Sequence, residues 1–190
     1  MAQLVGIVGA GRMGRGIAEA AAAAGLETVL VKATPGELAP ARRAIAESLG
    51  GAVRRGALSE VALEATLGRL MLTRDLDALA GCGVVIEAVV ERLQPKQHTL
   101  ALVEARVATA TVLASSTQAL SLAALAEGLR APTRFVGLRL ASPERGEIAV
   151  TRRTYPHAVE VMQQLVRALG RTPVVVGLQP SPETDIKVDP

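Results

Sequence analysis

Two kinds of apolar pattern alternate along the chain. Short unbroken apolar runs at residues 4–8, 27–31, 70–73, 83–88, 111–114, 134–140, 147–150 and 172–176 have the length and composition of strands buried on both faces. Between them lie amphipathic stretches of helical length at 12–24, 34–49, 59–67, 95–107, 120–129 and 156–169. Their ends carry helix punctuation. Gly25 and Gly170 follow helical runs where a left-handed residue is favoured. Thr34-Pro35-Gly36-Glu37 reads as a cap, a first-turn proline and a glutamate reaching back, and Gly50-Gly51 as the stop or bend of that helix.

Strands alternating with helices predict an α/β fold of the doubly wound Rossmann type, a mainly parallel sheet with helices on both faces. One domain is expected over residues 1–178. Residues 179–190, rich in proline and charge, read as a tail or linker.

Composition narrows the function. The chain has 190 residues, 49% hydrophobic and 21% charged, with a net charge of +3 and the two signs mixed. The aromatic residues are Phe135 and Tyr155 alone, too few for the stacking platforms of single-strand nucleic-acid sites. Cys82 is the single cysteine, so neither a disulfide framework nor a thiolate metal cluster is expected. His98 and His157 lack metal-ligand spacing. The alanine run 20–24 is too short to span a membrane, and the first strand runs straight into a glycine turn with no signal pattern before it. The expectation is a cytoplasmic protein with no nucleic-acid or membrane partner and no metal. Arginines in the first third of the chain suit an anionic ligand such as a dinucleotide or coenzyme A.

The strongest motif is Gly9-Ala10-Gly11-Arg12-Met13-Gly14, a G-x-G-x-x-G turn that follows a strand and opens a helix. Gly9 permits the tight turn, Gly11 lets backbone approach a pyrophosphate, and Gly14 lets helix and strand pack closely. The free amides at the helix start, those of Arg12 and Met13 included, attract phosphate. The fingerprint usually places an acid at the end of the second strand to accept bonds from the adenosine ribose. Here that residue is Lys32, which accepts none. Preference for a 2′-phosphate, weakened binding and loss of binding all remain open, so NAD and NADP both stand as candidates.

Four segments carry a family resemblance. They are Gly9 to Ala18, Val85 to Lys96 with its E-A-x-x-E-x-L-x-x-K pattern, Ala114 to Ser121, and Arg134 to Arg139. In this order and near spacing they resemble the NAD-binding domain of 3-hydroxyacyl-CoA dehydrogenases. The Glu91/Lys96 spacing and the Ser115 to Leu120 block set the chain apart from other reductases with similar glycine turns. The resemblance implies hydride transfer between NAD(P) and a 3-hydroxyacyl-CoA thioester, of the fatty-acid metabolism type. It implies cofactor contacts at Glu91 and Lys96, for which an ordinary surface ion pair is the competing reading. It also implies acyl-CoA contacts at Ser48 and Arg55 on a helical hairpin. The family's second, helical domain, through which it dimerises, has no counterpart pattern in these residues.

The resemblance breaks at the catalytic positions. The family's base is a histidine oriented by a glutamate, with serine and asparagine bonding the substrate oxygen. At the histidine position stands Arg139, which stays protonated near neutral pH. Gln118 stands for the serine, Ser116 and Ser142 for the asparagines, and Leu140 and Ala141 for two phenylalanines. Glu147 matches the orienting glutamate if the loop after Pro143 is shorter than the family's; otherwise the position is Thr151. Two functions follow: a 3-hydroxyacyl-CoA dehydrogenase domain with altered chemistry, or a catalytically degenerate nucleotide-binding or scaffold domain without turnover.

Overall fold

The computed structural model describes residues 4–140 and 142–177. The strands are β1 (Leu4–Val8), β2 (Glu27–Val31), β3 (Leu70–Thr73), β4 (Val84–Glu87), β5 (Val112–Ser115), β6 (Phe135–Arg139), β7 (Arg145–Val150) and β8 (Thr172–Gly177). The helices are α1 (Arg12–Ala23), α2 (Ala39–Arg54), α3 (Glu60–Gly68), α4 (Leu93–Glu104), α5 (Leu122–Ala126) and α6 (Pro156–Ala168). Two single-turn helices, Leu76–Leu79 and Pro132–Arg134, lie in the connections before β4 and β6.

The strands form one sheet in the order β3-β2-β1-β4-β5-β6-β7-β8. All neighbouring pairs are parallel except β6 with β7. The chain direction of the wind therefore reverses between β1 and β4, where α/β sheets open a ligand crevice at the carboxyl ends of their strands.

Alternation along each strand divides the core into two layers. Val5 and Ile7 of β1, Leu30 of β2 and Ile86 of β4 pack with Ile17 and Ala21 of α1, Ile45 of α2 and Met162 of α6. Val8, Val29, Val31 and Val85 face the other way, onto Leu100 and Val103 of α4 and Leu125 of α5. Cys82 lies in this second layer, fully enclosed, and burial raises its thiol pKa to about 11.

Three local expectations are corrected. The second helix begins at Ala39 rather than residue 34, because Gly36 takes φ +99° and the Lys32 ammonium binds the Thr34 carbonyl and hydroxyl and the Pro35 carbonyl. That helix also continues through Gly50 and Gly51. Each glycine costs roughly 1 kcal/mol against alanine in a helix, but Ala41, Ile45 and Leu49 anchor the same helix in the core. The fifth helix is shorter than expected, starting after its cap Ser121 and ending at Ala126. Ala141 and residues 178–190, the expected tail among them, lie outside the described residues. Among the described residues no helix is long and apolar enough to cross a membrane.

Candidate functional site

The glycine turn sits where β1 meets α1. Gly9 has φ +119°, and a Cβ there would lie 2.5 Å from the Ala88 carbonyl oxygen. A Cβ on Gly14 would lie 1.8 Å from the Gly9 carbonyl oxygen, so helix and turn touch backbone to backbone. Gly11 differs: a Cβ there meets nothing within 4 Å. The first two glycines are required by the fold, whereas the third leaves open space for something outside it.

Gly11 is also the N-cap of α1 and offers no side-chain cap, and the first helical bond runs from the Arg15 amide to the Gly11 carbonyl. The amides ahead of Arg15, including those of Arg12 and Met13, have no partner within the helix and form an anion-attracting end.

A cleft of about 380 Å³ opens on this corner, lined by Gly9, Ala10, Gly11, Lys32, Thr34, Val89, Val90 and His98 among others. It lies at the carboxyl ends of β1, β2 and β4, next to the switch point. The open face of Gly11, the unpartnered amides and an apolar wall of Ala88, Val89 and Val90 fit the diphosphate and adenosine of a dinucleotide. Lys32 lines the cleft with its ammonium folded onto the 34–35 turn. Arg42 and Arg43 are exposed on α2 and do not line it. Arg12 and Met13 line a separate cleft with Leu140 and Arg171.

Glu91 and Lys96 do meet, but not as a surface pair. Lys96 is 0% exposed. Its ammonium lies 2.9 and 3.1 Å from the two carboxylate oxygens of Glu87, 3.3 Å from Glu91 Oε2 and 3.3 Å from the Val89 carbonyl. Glu87, also 0% exposed, accepts further bonds from the Val89 amide and the Ser115 hydroxyl, both at 2.6 Å. Glu91 accepts from the Thr117 hydroxyl at 2.6 Å and from the Gln118 and Ala119 amides at 2.8 and 3.1 Å. Partial burial would raise the Glu91 pKa. The Thr117 hydroxyl, the two amides and the Lys96 charge outweigh that and hold it at about 2.

Sequence reasoning passed over Glu87. The available signal was a carboxylate ending a wholly apolar strand, which is costly unless paired.

At the far end of the crevice, antiparallel pairing of β6 and β7 sets Arg139 directly opposite Glu147. Their charged groups approach to 3.9 Å, with side chains 36% and 47% exposed, and Arg139 Nε donates to the Thr117 carbonyl at 3.2 Å. Arg139, Ser142, Glu144, Arg145 and Glu147 line a polar cleft of about 300 Å³. Gln118 is exposed and donates its backbone N–H to Glu91, and Ser116 is buried with its backbone N–H on the Glu87 main-chain carbonyl.

Thr151 instead donates its amide to the Thr154 hydroxyl in the turn that follows, and the two hydroxyls share a further bond. Ser48 and Arg55 lie apart from these clefts on exposed positions of α2 and its C-cap. The Ser48 hydroxyl donates to Glu19 at 2.7 Å. Burial raises the Glu19 pKa, and the Ser48 bond and Arg15 charge offset part of that rise. Among the described residues no cluster of three or more potential metal ligands occurs.

Comparison with known proteins places this geometry. Residues 4–179 match the family described as 3-hydroxyacyl-CoA dehydrogenase, NAD binding domain. The chain is 32% identical over 173 residues to a probable 3-hydroxybutyryl-CoA dehydrogenase of Deinococcus radiodurans, covering 89% of this chain and 62% of the relative. It is 34% identical over 176 residues to a 3-hydroxyadipyl-CoA dehydrogenase of Escherichia coli, covering 90% and 37%. Among solved structures, the (S)-3-hydroxybutyryl-CoA dehydrogenase of Ralstonia eutropha superposes with a TM-score of 0.88 at 29% identity, covering 95% of this chain and 65% of that one. The chain thus spans less than two thirds of the length of each of these relatives.

Proposed function

Because the chain belongs to the 3-hydroxyacyl-CoA dehydrogenase NAD-binding domain family, we propose that it binds NAD(P) at the Gly9–Gly14 corner and lacks the family's acid–base step. The observation carrying this reading is the cross-strand pair Arg139–Glu147. Removing hydride from a 3-hydroxyacyl thioester also requires a group to take the hydroxyl proton. The nicotinamide, when bound, supplies the hydride acceptor or donor. Arg139 stands where a neutral imidazole is needed and keeps its own proton. Glu147 faces that guanidinium, and the Gln118 carboxamide is itself no base. The residues that would hold the cofactor are Gly9, Gly11 and Gly14 with the amides of Arg12 and Met13 at the diphosphate. Lys32 stands at the adenosine ribose, and Glu91 toward the nicotinamide ribose, with the enclosed Lys96 acting through its ion pair with Glu91.

Acyl-CoA is the substrate class the family suggests, and Ser48, Arg55, Ser116 and Ser142 are its proposed contacts. The test is a fluorescence titration with NADPH and NADH, followed by an absorbance assay with acetoacetyl-CoA. Binding without turnover is expected. Steady oxidation of the reduced cofactor would overturn the loss of chemistry, and no binding at millimolar cofactor would overturn the assignment of the cleft.

Lys32 favours NADP over NAD. An ammonium offers ribose hydroxyls no acceptor but attracts a 2′-phosphate. NADPH is expected to bind more tightly than NADH, and Lys32→Asp to move that ratio about tenfold toward NADH, about 1.4 kcal/mol. Calorimetric affinities that are equal, or unmoved by the substitution, would reject the preference.

A further inference from the structure

The buried carboxylate of Glu87 has no role in the reading above, and its surroundings are costly to build. A fully enclosed salt bridge, Glu87 with Lys96 at 2.9 Å, lies in the core. Such a pair is seldom worth more to stability than apolar residues of the same size. Its geometry has another consequence. Glu87 Oε1 receives the Val89 amide, and the Lys96 ammonium meets the Val89 carbonyl, so both peptide groups of Val89 are tied to this one pair. Val89 and its neighbours Ala88 and Val90 form a wall of the nucleotide cleft. From Lys96 the connection passes to Glu91, and from Glu91 to Thr117, Gln118 and Ala119. The Thr117 carbonyl in turn holds Arg139. Ser115, hydrogen-bonded to Glu87, ties in the end of the next strand.

We propose that Glu87 is a positioning residue, acting through Lys96 and Glu91 to fix the shape of the cleft wall at 88–90 and of the segment 117–119. The two loops following β4 and β5 then present a preset surface to the cofactor, and binding need not order them. The inference rests on the nucleotide reading of the cleft.

The test uses Glu87→Asp. It keeps the counter-charge for Lys96 but is one methylene too short to hold the Val89 amide, the ammonium and the Ser115 hydroxyl together. Melting midpoint, NADPH affinity and the emission of bound NADPH are measured beside the unsubstituted chain. Expected are a midpoint within a few degrees, about tenfold weaker NADPH binding, and a shifted emission that reports a displaced nicotinamide. A folded variant with unchanged affinity and emission would overturn the proposal and leave Glu87 a structural counter-charge. Should Glu87→Asp not fold, Ser115→Ala removes one of the bonds to the same carboxylate. It is expected to weaken NADPH several-fold with the fold retained, and unchanged binding there would overturn the proposal equally. An unsubstituted chain that binds no NADPH would instead remove the nucleotide reading, and this inference with it.

Discussion

The two ends of the crevice are built from different materials. At the β1–α1 corner the site is backbone: three glycines, unpartnered amides, and open space in front of Gly11. At the β6–β7 end it is side chain: Arg139 against Glu147, with Ser142 and Gln118 nearby. The first end keeps the three glycines of the dinucleotide fingerprint, with Lys32 in place of its acid, while the second carries Arg139 and Gln118 where the family resemblance calls for histidine and serine. A backbone site asks only that side chains stay away, and a catalytic site asks for particular functional groups. Nucleotide binding and chemistry can therefore part company within a single sheet.

The contrast can be broken most severely at Gly14. A methyl there collides with the Gly9 carbonyl, so Gly14→Ala is expected to destabilise the fold by about 3 kcal/mol or more. Chemical denaturation would show this as a large fall in midpoint. Gly11→Val should separate binding from folding. The backbone at Gly11, φ −72° and ψ −175°, suits any residue, and the added side chain projects into open space. A near-native midpoint is expected with roughly hundredfold weaker NADPH binding, about 2.7 kcal/mol. Parallel loss of both would mean that Gly11, like Gly14, serves only packing.

A smaller effect concerns the link between the two ends. The folded-state pKa of Glu91, about 2, lies below its ordinary 4.5. Its contribution to stability is therefore complete above about pH 4.5 and is lost as pH falls toward 2. Glu91→Gln should flatten the acid limb of the stability curve over that window, as read by melting midpoints from pH 7 to pH 2. An unchanged acid limb would show that the hydrogen bonds to Thr117, Gln118 and Ala119 contribute little. The least effect is expected at Arg139. Arg139→Ala should leave NADPH affinity within about twofold, because Arg139 lies beyond the cleft at the glycine corner. A large loss would join the two ends into one site.

Much of this was legible in the chain before folding. The apolar runs located the strands, and the spacing of Gly9, Gly11 and Gly14 located the turn between β1 and α1, because both depend on residues close in sequence. What escaped depends on distant partners. The start of α2 was misplaced because Thr34, a sound cap by local rules, is claimed by Lys32. The glycines of α2 read locally as a stop or bend because their cost is local, whereas the anchoring of Ile45 and Leu49 is tertiary. Glu87 was passed over because its partners lie 9 and 28 residues away. The opposition of Arg139 and Glu147 needed the direction of β7, which local pattern does not encode.

Cys82 offers a practical consequence. The chain contains one cysteine, and its thiol is enclosed and poorly ionised. A maleimide in solution can reach it only when the layer beneath α4 parts, so each modification event marks one excursion of the native state. Labelling followed by mass spectrometry would time those excursions without any engineered probe. Slower labelling when NADPH is added would give an independent measure of how strongly the occupied cleft steadies the sheet.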